Sequence, residues 1–192
     1  LSGDVGSLSR IAGGLAGTQD VTGISMSAMD RIGLLRDGGI EFAGFFNATG
    51  AHLTLAALPT VDEIVTYHRG AAVGNAAASI VGKQINYDFT RAADGSLTTQ
   101  VQALPNCYGL EWGDQLTPWQ RTDTAATNGT SLDGTAASTF GAQAWLHVYA
   151  FTGTDVTIKI QDSADDSAYS DVTGLGFTAV TAAPFSQRLA TA

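Results

Sequence analysis

Apolar and polar residues alternate in short runs along most of the chain, and this period of two predicts β-strands. The most regular run spans residues 142–151, where Leu146 and Val148 fall on one face and Trp145 and His147 on the other. Successive side chains of a strand point to opposite faces, so this run fits a strand with two distinct sides. The chain is therefore predicted to be mainly β.

Before residue 122, six runs are predicted strands: 21–29, 31–35, 40–46, 63–67, 77–87 and 97–104. The segment 36–39, Arg-Asp-Gly-Gly, has the composition of a tight hairpin turn. Residues 47–59 are predicted to form a helix of two or three turns that ends at Pro59. This part is predicted to be an antiparallel β-barrel or sandwich with one flanking α-helix.

After residue 139, the strand at 142–151 is followed by turn residues and by a second alternating run at 156–161, which predicts a hairpin. Further short runs lie at 169–172, 177–180 and 187–190. The pattern predicts a small β-sandwich. A complete sandwich typically needs about seven strands and ~100 residues, so either a final strand or two is missing or the domain packs on a neighbour.

Changes in residue composition along the chain predict four segments. Residues 1–19 contain a glycine-rich stretch and are predicted to be a flexible N-terminal arm that orders against a neighbouring subunit. Residues 20–121 form the first β domain, 122–139 are small and polar as in a linker, and 140–192 form the small sandwich.

Composition narrows the class of function. Of 192 residues, 44% are hydrophobic and 14% charged, with 18 acidic and 9 basic side chains and a net charge of -9. Gripping nucleic-acid phosphates requires clustered Lys and Arg, so that task is disfavoured. No stretch approaches the ~20 continuous apolar residues of a membrane span, which predicts no membrane partner.

Candidate chemistry is sparse. His52, His68 and His147 are scattered and lack the spacing of a helical metal pair. Cys107 is the single cysteine, with no obvious partner base nearby in sequence. An acidic cluster, Asp162, Asp165, Asp166 and Asp171, offers oxygen ligands for calcium, but it lacks EF-hand spacing, and turn chemistry explains it better. The sequence predicts no enzyme, no catalytic residue, no metal and no cofactor.

Several segments together resemble one family, the major tail proteins (tail-tube proteins) of long-tailed bacteriophages, in particular phages that infect Gram-positive bacteria. The segments are 37–47 (DGGIEFAGFFN), 51–52, 58–59, 66–70 (TYHRG), 83–88 (KQINYD), 91–97 (RAADGSL) and 109–113 (GLEWG). Two later segments, 147–154 (HVYAFTGT) and 161–166 (QDSADD), resemble the small β-sandwich modules displayed on the outside of phage tails.

The resemblance implies a structural virion protein. Tail-tube subunits form six-membered rings that stack into a hollow conduit for DNA delivery. The implied partners are further copies of the chain, the tape measure and tail terminator proteins, and phage DNA that passes through without specific binding. The implied location is the phage tail, after assembly in the host bacterial cytoplasm.

An acidic lumen repels the phosphate backbone and lets DNA slide. Candidates for lumen-facing acids are Asp30, Asp37 and Glu41, and simple solvated-face residues explain them equally well. The candidates for the subunit interface or core are the aromatic residues Phe42, Phe45, Phe46, Tyr67, Tyr87 and Trp112.

Two other functions fit the same sequence. One is a capsid decoration or other virion surface protein built from similar β-modules. The other is a carbohydrate-binding module, for which Trp145, Tyr149 and Tyr169 would supply stacking faces, although core packing explains these three residues as well.

Overall fold

The computed structural model describes residues 2–58, 60–135 and 140–191, and it is mainly β, as predicted. Within these residues the chain forms a 3-10 turn at Ser2–Asp4, one α-helix and twelve strands. The helix is α1 (Ala51–Leu55), and the strands are β1 (Val5–Leu15), β2 (Thr18–Asp20), β3 (Arg31–Gly33), β4 (Arg36–Phe45), β5 (Glu63–His68), β6 (Ala76–Arg91), β7 (Leu97–Pro105), β8 (Glu111–Asp114), β9 (Ala142–Val148), β10 (Lys159–Asp162), β11 (Ser170–Gly176) and β12 (Phe185–Thr191).

The chain divides into two compact units. The first comprises Leu1–Gly70 and Asn75–Asp114, and the second comprises Ala71–Gly74 and Gln115–Ala192. The predicted linker at 122–139 therefore lies inside the second unit. Its residues 122–135 carry no helix or strand, and residues 136–139 lie outside the described part of the chain.

The first unit is built on one antiparallel sheet in the order β1-β4-β7-β6-β5, with β8 also paired to β6. Alternate side chains of the central strands point into a shared core. The core is formed by Ile40, Phe42, Ala51, Leu55, Ala78, Ile80, Val101, Ala103 and Leu110. Helix α1 contributes Ala51 and Leu55, which are one helical turn apart and so lie on the same side.

Helix α1 is shorter than the two or three turns predicted for 47–59. It ends at Leu55, and Leu58 already has a positive φ of 41°, which a right-handed helix does not allow. Leu53 is 69% exposed, so only one side of the helix is held by the core. Pro59, the predicted terminator, lies outside the described residues.

The hairpin turn predicted at 36–39 was wrong, because these residues are the start of β4. Gly38 and Gly39 are buried in the sheet rather than exposed in a turn. A Cβ on Gly38 would lie 2.5 Å from the Ala12 carbonyl oxygen and 2.9 Å from the Leu110 Cβ. These glycines therefore allow neighbouring segments of the chain to approach the β4 backbone closely.

The flexible arm predicted at 1–19 was also wrong. Residues Val5–Leu15 form β1, which pairs with β4 from Val5↔Gly44 to Leu15↔Arg36. Ile11 packs against the core, and the backbone hydrogen bonds of the ladder hold the glycine-rich remainder. The strand predicted at 21–29 does not form, because this segment connects β2 to β3.

The second unit contains two antiparallel ribbons, β9 with β12 and β10 with β11. Ala144, Leu175 and Phe177 form its buried centre, against which Leu146 and Leu189 pack, in the manner of a small sandwich. The hairpin predicted between 142–151 and 156–161 was wrong, because β9 pairs with the distant β12 instead. The later run pairs through β10 with β11, which follows it in the chain.

Candidate assembly surfaces

One face of the first sheet is polar and carries Glu41. Glu41 lies on β4, with its side chain opposite in direction to the buried Ile40 and Phe42. Its carboxylate forms an ion pair with Arg10 (Nη1 to Oε1, 3.1 Å) and accepts a hydrogen bond from Gln102 Nε2 at 2.8 Å. Three strands are thus linked by one polar row, in which the acidic charge is balanced by a basic one.

The other two predicted lumen residues precede Glu41 in the chain, one in β4 and one just before β3. Asp37 is exposed at the start of β4, on the same parity as Glu41 and about 13 Å from it at ~3.3 Å per residue. Asp30 lies beyond the sheet, just before β3, where its backbone N–H donates to Thr22 Oγ1 at 2.8 Å. The three acids are therefore spaced apart and do not form a cluster.

The six predicted core or interface aromatics separate into two groups. Phe42 is buried, and Tyr67 and Tyr87 pack partly buried against the core. The other three are exposed at the surface, by 61% for Phe45, 38% for Phe46 and 56% for Trp112. Packing of the first group stabilises the fold of the first unit. The exposed rings of the second group can contact a partner.

Four rings meet where β4 and β6 approach α1. Phe46, His52, Tyr87 and Phe89 have neighbouring ring centroids between 4.6 and 6.4 Å apart. His52 Nδ1 lies 3.2 Å from the Tyr87 hydroxyl. Burial is the main cause that raises the pKa of Tyr87, so this hydroxyl keeps its proton. The position of His52 is therefore explained by packing and hydrogen bonding within this aromatic cluster.

Helix α1 receives its N-terminal cap from Asp4, far away in sequence. The Ala51 N–H donates to Asp4 Oδ2 at 3.0 Å, and Asn47 Nδ2 donates to Asp4 Oδ1 at 2.8 Å. These two hydrogen bonds, the Asn47 one first, lower the pKa of Asp4. The adjacent Gly50 offers no side chain for capping, so the start of the chain supplies the acceptor.

Acidification should loosen this cap. A carboxylate whose pKa is lowered by folding adds stability above its unfolded pKa, and that stability is lost as the pH falls through the folded value. We expect hydrogen-exchange protection of the Ala51 amide, normalised to the intrinsic rate, to fall below about pH 4. An Asp4→Asn variant should show no such fall. If the variant loses protection below the same pH as the unmodified chain, the Asp4 carboxylate is not the cause.

A long apolar hairpin extends from the sheet. The β1–β4 pairing continues past Leu15 through Ala16 N→Leu35 O (2.8 Å) and Leu34 N→Gly17 O (2.9 Å) into β2 and β3. We define residues 16–35 as the apolar hairpin. Its exposed large apolar side chains are Val21, Ile24, Met26, Met29, Ile32, Leu34 and Leu35, of which Ile24 at the tip is fully exposed.

The sheet that bears this hairpin ends in two edge strands, β1 and β5. Among the described residues, β1 pairs only with β4, and β5 pairs only with β6. An edge of this kind is the place where a further strand adds to a sheet. Bulges interrupt β1 at two places, between Val5 and Ser7 and between Leu8 and Arg10.

An open cavity of about 430 Å³ lies at the base of the apolar hairpin and holds Cys107. Its other lining residues are Leu35, Arg36, Pro105, Tyr108, Gly109 and Glu111. Cys107 is exposed and has a positive φ of 68°. None of the three histidines, His52, His68 and His147, lines this cavity.

The acidic cluster of the second unit is engaged in turn and strand contacts. Asp165 Oδ1 accepts hydrogen bonds from the Ser167 and Ala168 N–H groups at 3.0 and 2.9 Å. Asp171 accepts from Lys159 Nζ at 2.6 Å, and Asp166 accepts from the Tyr169 hydroxyl. Within the described residues no group of three or more His, Cys, Asp or Glu side chains is placed to hold a metal ion.

Comparison with known proteins does not name a family for this chain. No protein-family model matches it, and no curated protein matches it. In the part of the chain that the structure describes, no helix has the length and hydrophobicity needed to cross a membrane. The function is therefore inferred from the exposed surfaces of the protein.

Proposed function

We propose that this chain is a structural virion protein, the subunit of a phage tail tube, which assembles into stacked, six-membered rings. The observation that carries the proposal is the apolar hairpin. Seven large apolar side chains exposed on one twenty-residue element, residues 16–35, form the kind of surface that marks a protein interaction site. Burying such a side chain contributes about 1.5–3 kcal/mol, so a partner that covers several of them gains substantial stability.

The unpaired edges of the sheet support a second copy as that partner. An edge strand left open in a monomer is a liability, and a ring removes it by pairing each subunit with the next. β1 and β5 lie at opposite edges of one sheet, which is the arrangement that a head-to-tail ring requires. The hairpin then remains to contact copies in the next ring.

The polar sheet face suits a conduit that releases its cargo. Its central rows contain Glu41, Gln102, Gln100 and Asp88. The basic residues of this face, Arg10 and Lys83, are paired to Glu41 and Asp62. Amides and balanced charges give DNA phosphates no cluster of cations to bind. In this proposal the face lines the bore, and the tape measure and tail terminator proteins meet the ends of the tube.

Electron microscopy of the purified full chain tests the proposal. We expect rings or hollow tubes whose fraction rises with protein concentration, together with large species in sedimentation velocity. Single molecules at all concentrations up to about 100 μM, well above a micromolar dissociation constant, would overturn it. Particles that bind only to preformed capsids as knobs would instead favour a decoration protein.

A further inference from the structure

The β9–β12 ribbon of the second unit has one apolar and one aromatic-polar face. Ala144 and Leu146 of β9 belong to the core side, together with Leu189 of β12. The intervening residues Trp145 and His147 point the other way. The pairing register sets Trp145 opposite Arg188 and His147 opposite Ser186, so these side chains share the second face.

Planar groups are arranged along this face with defined geometry. The Arg188 guanidinium lies over the Trp145 ring, with Cζ 5.3 Å from the ring centroid. Arg188 Nη2 also donates to Gln143 Oε1 at 3.2 Å, which fixes the guanidinium plane. The His147 and Tyr149 rings are parallel within 4°, with centroids 6.1 Å apart.

These rings are open to a ligand to different degrees. Tyr149 is 61% exposed, whereas Trp145, His147 and Arg188 are half-buried. Tyr149 with His147 therefore offers an accessible planar surface, and the Trp145–Arg188 pair provides a rigid group beside it. Flat aromatic surfaces flanked by N–H and O–H groups pack against the C–H face of a sugar ring and hydrogen-bond its hydroxyls.

We propose that this face binds a neutral oligosaccharide. Charge decides between neutral and anionic sugars: the second unit carries seven aspartates against three basic residues, Arg121, Lys159 and Arg188. That field repels a polyanion. The positive group on the face, Arg188, is already engaged with Trp145 and Gln143. An uncharged polyol gains the stacking contact without the repulsion.

The structure changes the set of residues that the sequence indicated for sugar binding. Trp145 lies on β9 and Tyr149 directly follows this strand, and His147 and Arg188 lie beside them. Tyr169 is not part of this group, because it precedes β11 and donates its hydroxyl to Asp166 in the β10–β11 turn. The stacking surface is therefore assigned to Tyr149 and His147.

Titration calorimetry of the full chain tests this site with four probes. Three are neutral hexasaccharides, of glucose, of N-acetylglucosamine and of galactose, and the fourth is oligogalacturonate. We expect at least one neutral probe to bind with a dissociation constant below about 1 mM. The Tyr149→Ala variant should weaken that binding about five- to tenfold, the effect of losing one ring contact.

Two further variants control the result. Trp119→Ala removes another exposed aromatic ring of the same unit, 41% exposed, and should leave binding unchanged. Arg188→Lys keeps the charge but loses the planar stack, so it should also weaken binding. This variant replaces Tyr149→Ala as the test if circular dichroism shows Tyr149→Ala to be unfolded. Lack of binding to all neutral probes, preference for oligogalacturonate, or equal binding by all folded variants would overturn the proposal. Tube formation is not involved in any of these measurements.

Discussion

Replacing Ile24 with aspartate should suppress self-association while leaving the monomer folded. Ile24 is fully exposed at the tip of the apolar hairpin, so the change removes no core contact within the subunit. A buried isoleucine contributes about 1.5–3 kcal/mol to an interface, and 1.4 kcal/mol is a factor of ten. The concentration needed for assembly should therefore rise roughly ten- to a hundredfold, as measured by sedimentation velocity across a concentration series.

Leu53→Asp is the matched control for this experiment. Leu53 is also a large apolar residue, 69% exposed, but it lies on α1 and outside the hairpin. It should assemble at the same concentration as the unmodified chain. If Leu53→Asp is the more damaging of the two changes, the contact between copies does not run through the hairpin.

Replacing Gly82 with alanine should destabilise the first unit severely. Gly82 is buried in β6, where it pairs with Glu63 of β5 on one side and Pro105 of β7 on the other. An added Cβ would overlap the Leu104 carbonyl oxygen and lie 2.9 Å from the Pro105 Cα, and backbone atoms cannot rotate away. Overpacking of this kind costs about 1–3 kcal/mol or more, which denaturant unfolding measures directly.

Gly113→Ala controls for the general cost of changing a strand glycine. Gly113 lies in β8 of the same sheet, and a Cβ there would meet nothing within 4 Å. Because alanine restricts the unfolded chain, the free energy of unfolding should stay the same or rise by about 0.4–1 kcal/mol. Equal losses in the two variants would show that the clash at Gly82 is relieved by movement of β7.

Local alternation was sufficient to predict those strands whose two faces differ in polarity. Runs at 63–67, 77–87 and 97–104 correspond to β5, β6 and β7, because core residues such as Ile80 and Val101 recur at every second position there. The same rule located β9. Antiparallel β architecture and one short helix could be inferred from these patterns alone.

Strand partners could not be predicted where the nearest run in sequence was not the one chosen. The run at 156–161 follows β9 directly, but β9 pairs with β12, which places Leu189 beside Ala144 in the core. Likewise, Gly38 and Gly39 have turn chemistry and yet pair inside a ladder, because the space left by Gly38 admits Leu110 and the backbone of β1. Such choices depend on packing between distant segments.

The features that carry the functional proposals have weak sequence patterns. The apolar residues of 16–35 are separated by polar and glycine residues without a regular period, so their exposure on one hairpin is visible only once β1 and β4 are paired. The cap of α1 by Asp4 joins residues 47 positions apart. The sharing of one face by Trp145 and Arg188 similarly depends on the β9–β12 register.

Cys107 makes each molecule addressable by a single dye. It is the one cysteine of the chain, it is exposed, and it shares a cavity with Leu35 at the base of the hairpin. A maleimide fluorophore would therefore attach at a defined point with a stoichiometry of one. Energy transfer between identical dyes would report how far apart adjacent molecules sit, and depolarisation of the emission would follow polymer growth in real time without fusion to a reporter protein.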